Sequence, residues 1–291
     1  MNAISLKVSI VILCTMFFYP VVHAMEFSIN QSDNSEINTS DEFRNFVDFT
    51  QELESDLFEY FAENFLIDKP CHKDYTQSIL NIITKYVPNN PIILEVGAHF
   101  GEDTKKMCLF WPQGFVHVFE PSPYNMSRVQ KNIQGLDNVK TYPIALSDFV
   151  GTAPFYINPS NPGSDSLFVP ITYSHNYSAK PIMVNCVTLD HWAEQNKIDH
   201  IDFIWLDVEG AELNVLKAGI NIAGINILRT VKVIHTEVNF KEFWYGIALF
   251  KELKEWLEEK NFKIIWRSTQ KETFQANIVF VNSECIDVID S

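Results

Sequence analysis

Along this chain, short apolar runs alternate with amphipathic stretches. The apolar runs are Ile92 to Ala98, Phe115 to Glu120, Val139 to Leu146, Ile182 to Val187, Ile201 to Leu206, Val231 to Glu237, Phe262 to Trp266 and Ile278 to Val281. Their length and apolar content predict buried strands. Between them, helical spacing predicts helices over Tyr75 to Val87, Glu102 to Phe110, Pro123 to Gln134, onward from Leu189, and over Phe250 to Lys260. Such alternation requires a parallel sheet with right-handed crossovers. The expected fold is therefore α/β: a Rossmann-like, seven-stranded, mostly parallel, doubly wound sheet with an N-terminal helical extension. A stretch from Thr152 to Lys180, rich in Pro, Ser, Asn and Gly, interrupts the alternation and is a candidate substrate loop.

The N-terminal quarter has a different pattern. Lys7 precedes an apolar run from Val8 to Val22, and Val22-His23-Ala24 places small residues at cleavage spacing, so residues 1–24 read as a secretory signal peptide. The run is short for a membrane span and carries Pro20, which makes an uncleaved anchor the alternative. The expected location is thus periplasmic or secreted, without stable membrane insertion once the leader is removed. Residues 25–41 lack a hydrophobic period and read as a flexible linker. Residues 42–90 hold helical patterns, 91–283 the α/β domain and 284–291 a tail.

Composition narrows the partners. The 291 residues are 46% hydrophobic and carry a net charge of −15, enough apolar content for a full core and the wrong sign for a phosphate backbone, so no nucleic-acid partner is expected. After the leader, Cys71, Cys108, Cys186 and Cys285 remain without a C-x-x-C pair, which leaves two disulfides or four free thiols open. His72, His117, His175, His191 and His200 show no metal-ligand spacing, and no metal is expected.

Two strand ends carry the candidate chemistry. IILEVGAHFG (92–101) and IDFIWLDVEGAELNVLKAG (201–219) each run from an apolar strand into acids, glycine and a helical pattern, so both point at one crevice. Gly97 and Gly101 let the backbone approach a ligand closely, and their G-x-x-x-G spacing suits an amino-acid moiety better than the pyrophosphate of a dinucleotide. A nicotinamide-dependent dehydrogenase therefore ranks low.

With FEPSPYNMSRVQKN, YPIALSDFVG and VTLD between them, these motifs resemble, in order, the FkbM-type methyltransferases, S-adenosylmethionine-dependent enzymes of the class I fold. The resemblance covers roughly residues 92–280. It implies cofactor contacts at Glu95, Gly97, Ala98, His99, Gly101, Thr104, Glu120, Pro121, Ser122, Ser147, Asp148 and Asp207. Glu95 would take the ammonium group, Glu120 the ribose hydroxyls, and Ser147 with Asp148 would stand near the adenine, though an ordinary Asx turn also fits that pair. His99 would contribute mainly its backbone.

The catalytic candidates are Asp207, Glu209, His235 and Glu237. Asp207 or Glu209 can orient or deprotonate an acceptor, and His235 with Glu237, two apart on one strand, can share a face as base and orienter. For His235 a structural role is the competing reading. Glu212 reads as a helix-start acid. Many relatives carry Lys where this chain has Trp205, which leaves either simple packing or altered catalysis open. The implied function is O-methylation of a glycan or small hydroxylated molecule. The alternative is an exported binding or interaction protein on a degenerate methyltransferase fold. Oligomeric state is not legible, and export leaves the source of a cytosolic cofactor unexplained.

Overall fold

The computed structural model describes residues 74–171, 177–178, 180–219, 227–268 and 274–286. The leader, the linker and the helical pattern before residue 74 lie outside the described residues. Helix α1 (Tyr75–Ile83) opens where the Asp74 carboxylate accepts the Gln77 N–H at 3.3 Å. Its Ile79, Leu80 and Ile83 are fully buried in one core with Ile93, Met107, Val118, Val129 and Phe203, so α1 covers a sheet face.

The elements then alternate: β1 (Ile92–Val96), α2 (Glu102–Phe110), β2 (Phe115–Phe119), α3 (Pro123–Asn132), β3 (Val139–Tyr142), β4 (Ala145–Leu146), β5 (Gly151–Phe155), β6 (Ile182–Val187), α4 (Leu189–Asn196), β7 (Phe203–Leu206), α5 (Glu212–Lys217), β8 (Val233–Asn239), α6 (Phe250–Glu259), β9 (Phe262–Arg267), β10 (Gln275–Asn282) and α7 (Ser283–Ile286). Ser122 and Thr188 cap α3 and α4, and Pro123 occupies the first turn of α3, where its missing N–H costs nothing. The main sheet has seven strands in the order β3-β2-β1-β7-β8-β10-β9. The strands from β3 to β8 run parallel, and β10 is antiparallel to both its neighbours. The strand order reverses at β1, which places the ligand crevice beyond the C-terminal ends of β1 and β7.

Two expectations about strands need correction. The run Val139 to Leu146 is two strands, β3 and β4, because Pro143 between them offers no N–H to a ladder. The run Ile182 to Val187 does not join the large sheet. It forms a second, three-stranded sheet of order β4-β6-β5, whose edge strand β5 was not anticipated. Pro154 is tolerated in β5 because that strand is an edge. The opposite face of the main sheet is closed by α4, whose Trp192 meets His117, Phe119 and Tyr142 edge-on at 5.0 to 5.4 Å.

At the far end from the crevice, buried Asp202 ties three strands together. Its carboxylate accepts the Ile92 N–H at 2.9 Å and pairs with Lys232 at 2.7 Å. Asp202→Ala strands a buried donor, and a loss of about 2–4 kcal/mol is expected in urea unfolding. A loss below about 0.5 kcal/mol would show that this tie contributes nothing.

Candidate active site

Register brings the sequence candidates into rows. Glu95 of β1 lies beside Trp205 of β7, and Trp205 beside His235 of β8. One step further towards the strand ends, Leu206 pairs with Thr236, so Asp207 emerges next to Glu237. These strand ends border a cavity of about 210 Å³ lined by Glu95, Gly97, Ala98, His99, Glu120, Pro121, Trp205, Asp207 and Glu209, among others.

The first loop is held by contacts within the protein. Gly97 adopts φ +86°, and a Cβ there would stand 1.7 Å from the Asp207 carbonyl oxygen, so glycine is required where the two loops touch. Gly101, at φ +80°, is pressed against Val129 of α3 and opens α2. The His99 N–H donates to Glu120 Oε2 at 2.9 Å, while its ring stacks on Phe100. Glu95 is buried, and burial holds its carboxyl well above the usual range; Thr104 Oγ1 donates to it.

Glu120 is 4% exposed and accepts the Ser122 N–H at 2.8 Å as well as that of His99. Each oxygen has one backbone donor and keeps further lone-pair capacity. Burial pushes this group up to about 8 against those two hydrogen bonds. Pro121 lines the cavity, whereas Ser122 serves as the α3 cap. Ser147 and Asp148 do not line it. Ser147 Oγ donates to Asp148 at 3.3 Å, and Asp148 accepts Asn214 Nδ2 at 3.0 Å; Ile144, Ala145 and Leu146 supply the wall instead.

The acids beyond β7 and β8 crowd one another. Asp207 is pushed up to about 7 by burial, with Glu212 and Asp103 adding negative charge. Glu237 is pushed up to about 9 by burial and by Asp207 and Glu212. Glu209 is raised well above the usual carboxyl range, by burial and then by Asp207 and Glu237. Its backbone sits at φ +53°, held by Ser166 Oγ, which donates to the Glu209 carbonyl at 2.7 Å. Glu212 closes the loop by accepting the Val208 and Gly210 N–H groups at 3.1 Å.

His235 has a different setting. It is fully buried, its Nε2 lies 2.7 Å from the Tyr75 hydroxyl, and its ring stacks on Trp205 at 3.8 Å. Burial lowers it to about 3, so it is neutral at physiological pH. Trp205 stacks on His235, meets Tyr75 edge-on at 6.3 Å and also forms part of the cavity wall.

Sequence reasoning missed Asp165, Asn125, Glu102 and Asp103, all of which line the cavity. Glu102 and Asp103 follow Gly101 directly, so helix-start position was their signal. Asp165 lies in the polar stretch between β5 and β6, where only its being a lone acid marks it.

The raised acids set a pH dependence. A carboxyl whose folded pKa exceeds its unfolded one contributes stability below the unfolded value and loses it as pH rises through the folded value. His117, lowered to about 4, and His235 act oppositely, but only below about 6.5. From pH 6.5 to 8 the carboxyls alone remain, and stability falls by up to about 1.4 kcal/mol per pH unit per group. The melting temperature is expected to drop across that window; a flat profile would contradict it.

Comparison with known proteins adds identity to this geometry. The methyltransferase FkbM domain model matches residues 95–264, more than half of the chain. The chain belongs to the FkbM methyltransferase family. It is 30% identical over 169 residues to the 2-O-methyltransferase NoeI of Sinorhizobium fredii, covering 54% of this chain and 67% of that one. It is 28% identical over 244 residues to the methyltransferase sdnD of Sordaria araneosa, covering 73% and 88%. Among solved structures, an rRNA methylase from Streptococcus thermophilus aligns with a TM-score of 0.43 at 10% identity, over 75% of this chain and 98% of that one. The FkbM resemblance and the Rossmann-like sheet expected from sequence are both observed. Among the described residues, Cys108, Cys186 and Cys285 are free thiols, and no helix is long and apolar enough to cross a membrane.

Proposed function

We propose that this FkbM-family protein transfers the methyl group of S-adenosylmethionine to a hydroxyl oxygen of a glycan or small hydroxylated molecule. The charge of the cavity carries this reading. Glu95, Glu102, Asp103, Glu120, Asp165, Asp207 and Glu209 line it, and no Lys or Arg is among its lining residues. A ligand with a sulfonium and an ammonium against one carboxylate is attracted there, whereas a pyrophosphate is repelled. The name 2-O-methyltransferase borne by NoeI supports an oxygen acceptor.

When bound, S-adenosylmethionine supplies an electrophilic methyl group on sulfur. The remaining tasks fall to the chain. Glu120 has lone pairs left for the ribose hydroxyls, and Glu95 offers its carboxyl to the ammonium group, whose positive charge favours the ionised form against burial. In-line displacement needs alignment above all, and a hydroxyl acceptor must also lose its proton. The group Asp207, Glu209 and Glu237 stands where both needs can be met, its basicity raised by burial and mutual repulsion.

The test is transfer from radiolabelled S-adenosylmethionine to a panel of oligosaccharides and hydroxylated small molecules. Label in an ether linkage, with one added methyl by mass, is the expected result. Label confined to nitrogen, or to nucleic acid, would overturn the acceptor class. Export through residues 1–24 is a separate part of the reading, checked by intact mass: cleavage after Ala24 leaves Met25 first.

A further inference from the structure

A row of three side chains crosses the main sheet beneath the cavity. Glu95 of β1, Trp205 of β7 and His235 of β8 are register neighbours on parallel strands, so they project from the same face of the sheet, with about 4.8 Å between adjacent strands. His235 stacks on one face of the Trp205 indole, with ring centroids 3.8 Å apart. Tyr75 and Phe203 meet the indole at nearly right angles, at 6.3 and 6.2 Å. Among the described residues no ring stacks on its other face. Since β7 lies between β8 and β1, that face is turned away from His235 and towards the β1 side, where Glu95 stands. Trp205 and Glu95 are both buried, and both line the cavity.

An indole carries negative charge density on its faces and attracts a cation more strongly than the other aromatic side chains do. No Lys or Arg lines the cavity, so a cation at this face comes with a ligand. The imidazole behind the indole is neutral at physiological pH and adds no opposing charge. Glu95 alone is a compromised partner for a cation, because burial favours its uncharged form and Thr104 Oγ1 already donates to it. A π-face beside it adds attraction without adding a second buried negative charge. Low exposure spares that attraction the screening of water.

We propose that the free face of Trp205 holds the ammonium group of the bound S-adenosyl compound beside Glu95, as a cation–π contact. The proposal rests on the methyl-transfer reading for its ligand and adds a binding residue to that site. Recognition of the amino-acid end of the ligand then depends on an aromatic ring, and an aliphatic residue of similar bulk cannot replace it.

The test compares two ligands in full-length parent, Trp205→Phe and Trp205→Leu by calorimetric titration: S-adenosylhomocysteine, and its deaminated analogue, which keeps the carboxylate and lacks the ammonium. Trp205→Leu is expected to bind S-adenosylhomocysteine about tenfold more weakly than the parent and the deaminated analogue within about twofold of it; Trp205→Phe, which keeps a π-face, falls between parent and leucine for the first ligand. Trp205 is also packed in the core, so the parent is read directly as well. In fluorotryptophan-labelled parent, the fluorine resonance that is missing from Trp205→Phe is expected to shift on adding S-adenosylhomocysteine and to shift much less with the analogue. Equal losses for the two ligands in Trp205→Leu, or equal resonance shifts in the parent, would reduce Trp205 to a packing residue and overturn the proposal. Unchanged affinity for S-adenosylhomocysteine in Trp205→Leu would overturn it too, and in each of these cases binding by the parent leaves the transferase reading standing. A parent that binds neither ligand would remove that reading and this contact together.

Discussion

Gly97→Ala is expected to leave little folded protein. The added Cβ would lie 1.7 Å from the Asp207 carbonyl oxygen and 2.8 Å from its carbon, far inside van der Waals contact. Neither side can yield cheaply. The Asp207 N–H is bonded to Val96 O at 2.9 Å and the Gly97 N–H to Phe119 O at 2.9 Å, so relief would tear β1 from β7 or from β2. Left-handed backbone at φ +86° adds about 1–2 kcal/mol for any residue with a Cβ. A total above about 4 kcal/mol in urea unfolding is expected. Gly135 supplies the control: it has φ +88°, and a methyl group added there would meet nothing within 4 Å, so Gly135→Ala isolates the backbone strain at about 1 kcal/mol. Equal losses in the two variants would show that the loops do not meet as described.

Glu120→Ala is expected to weaken S-adenosylmethionine binding about 100-fold or more. Two losses combine. Removing a carboxylate that can accept from two ribose hydroxyls costs about 1.5–3 kcal/mol per bond to a charged group. The same side chain also fixes the His99 and Ser122 N–H groups, so the loop beside the cavity loses its anchor. Glu120→Gln keeps one acceptor oxygen and should fall between parent and alanine. Calorimetric titration of the three proteins measures the order. Parent-like affinity in Glu120→Ala would take the ribose away from this residue.

Legibility in the sequence followed locality. The bounds of α2 and β6 match their apolar patterns to the residue, because each pattern is set by neighbours a few positions away. Pro143 hid a strand break inside an apolar run. Strand β5 escaped because Gly151 and Pro154 weaken its strand pattern and most of its residues are exposed. The site divides in the same way. Glu95, Glu120 and Asp207 could be named because each lies within the last two residues of an apolar strand or directly after it, at the crevice side of the sheet. That Asp207 meets Glu237 depends on the register of β7 against β8, which no local pattern encodes. The partnership of Asp148 with Asn214, 66 residues away, and the burial of Asp165 are likewise long-range facts. Trp205 could be read either way from sequence; its stacking on buried His235 gives it a packing role as well as a place in the cavity wall.

The most direct test of methyl transfer as this protein's chemistry is calorimetric titration of the full-length chain with S-adenosylmethionine and S-adenosylhomocysteine. Saturable binding of both, in roughly the micromolar range and raising the melting temperature, is the predicted result. No heat with either ligand and an unchanged melting temperature would contradict the account.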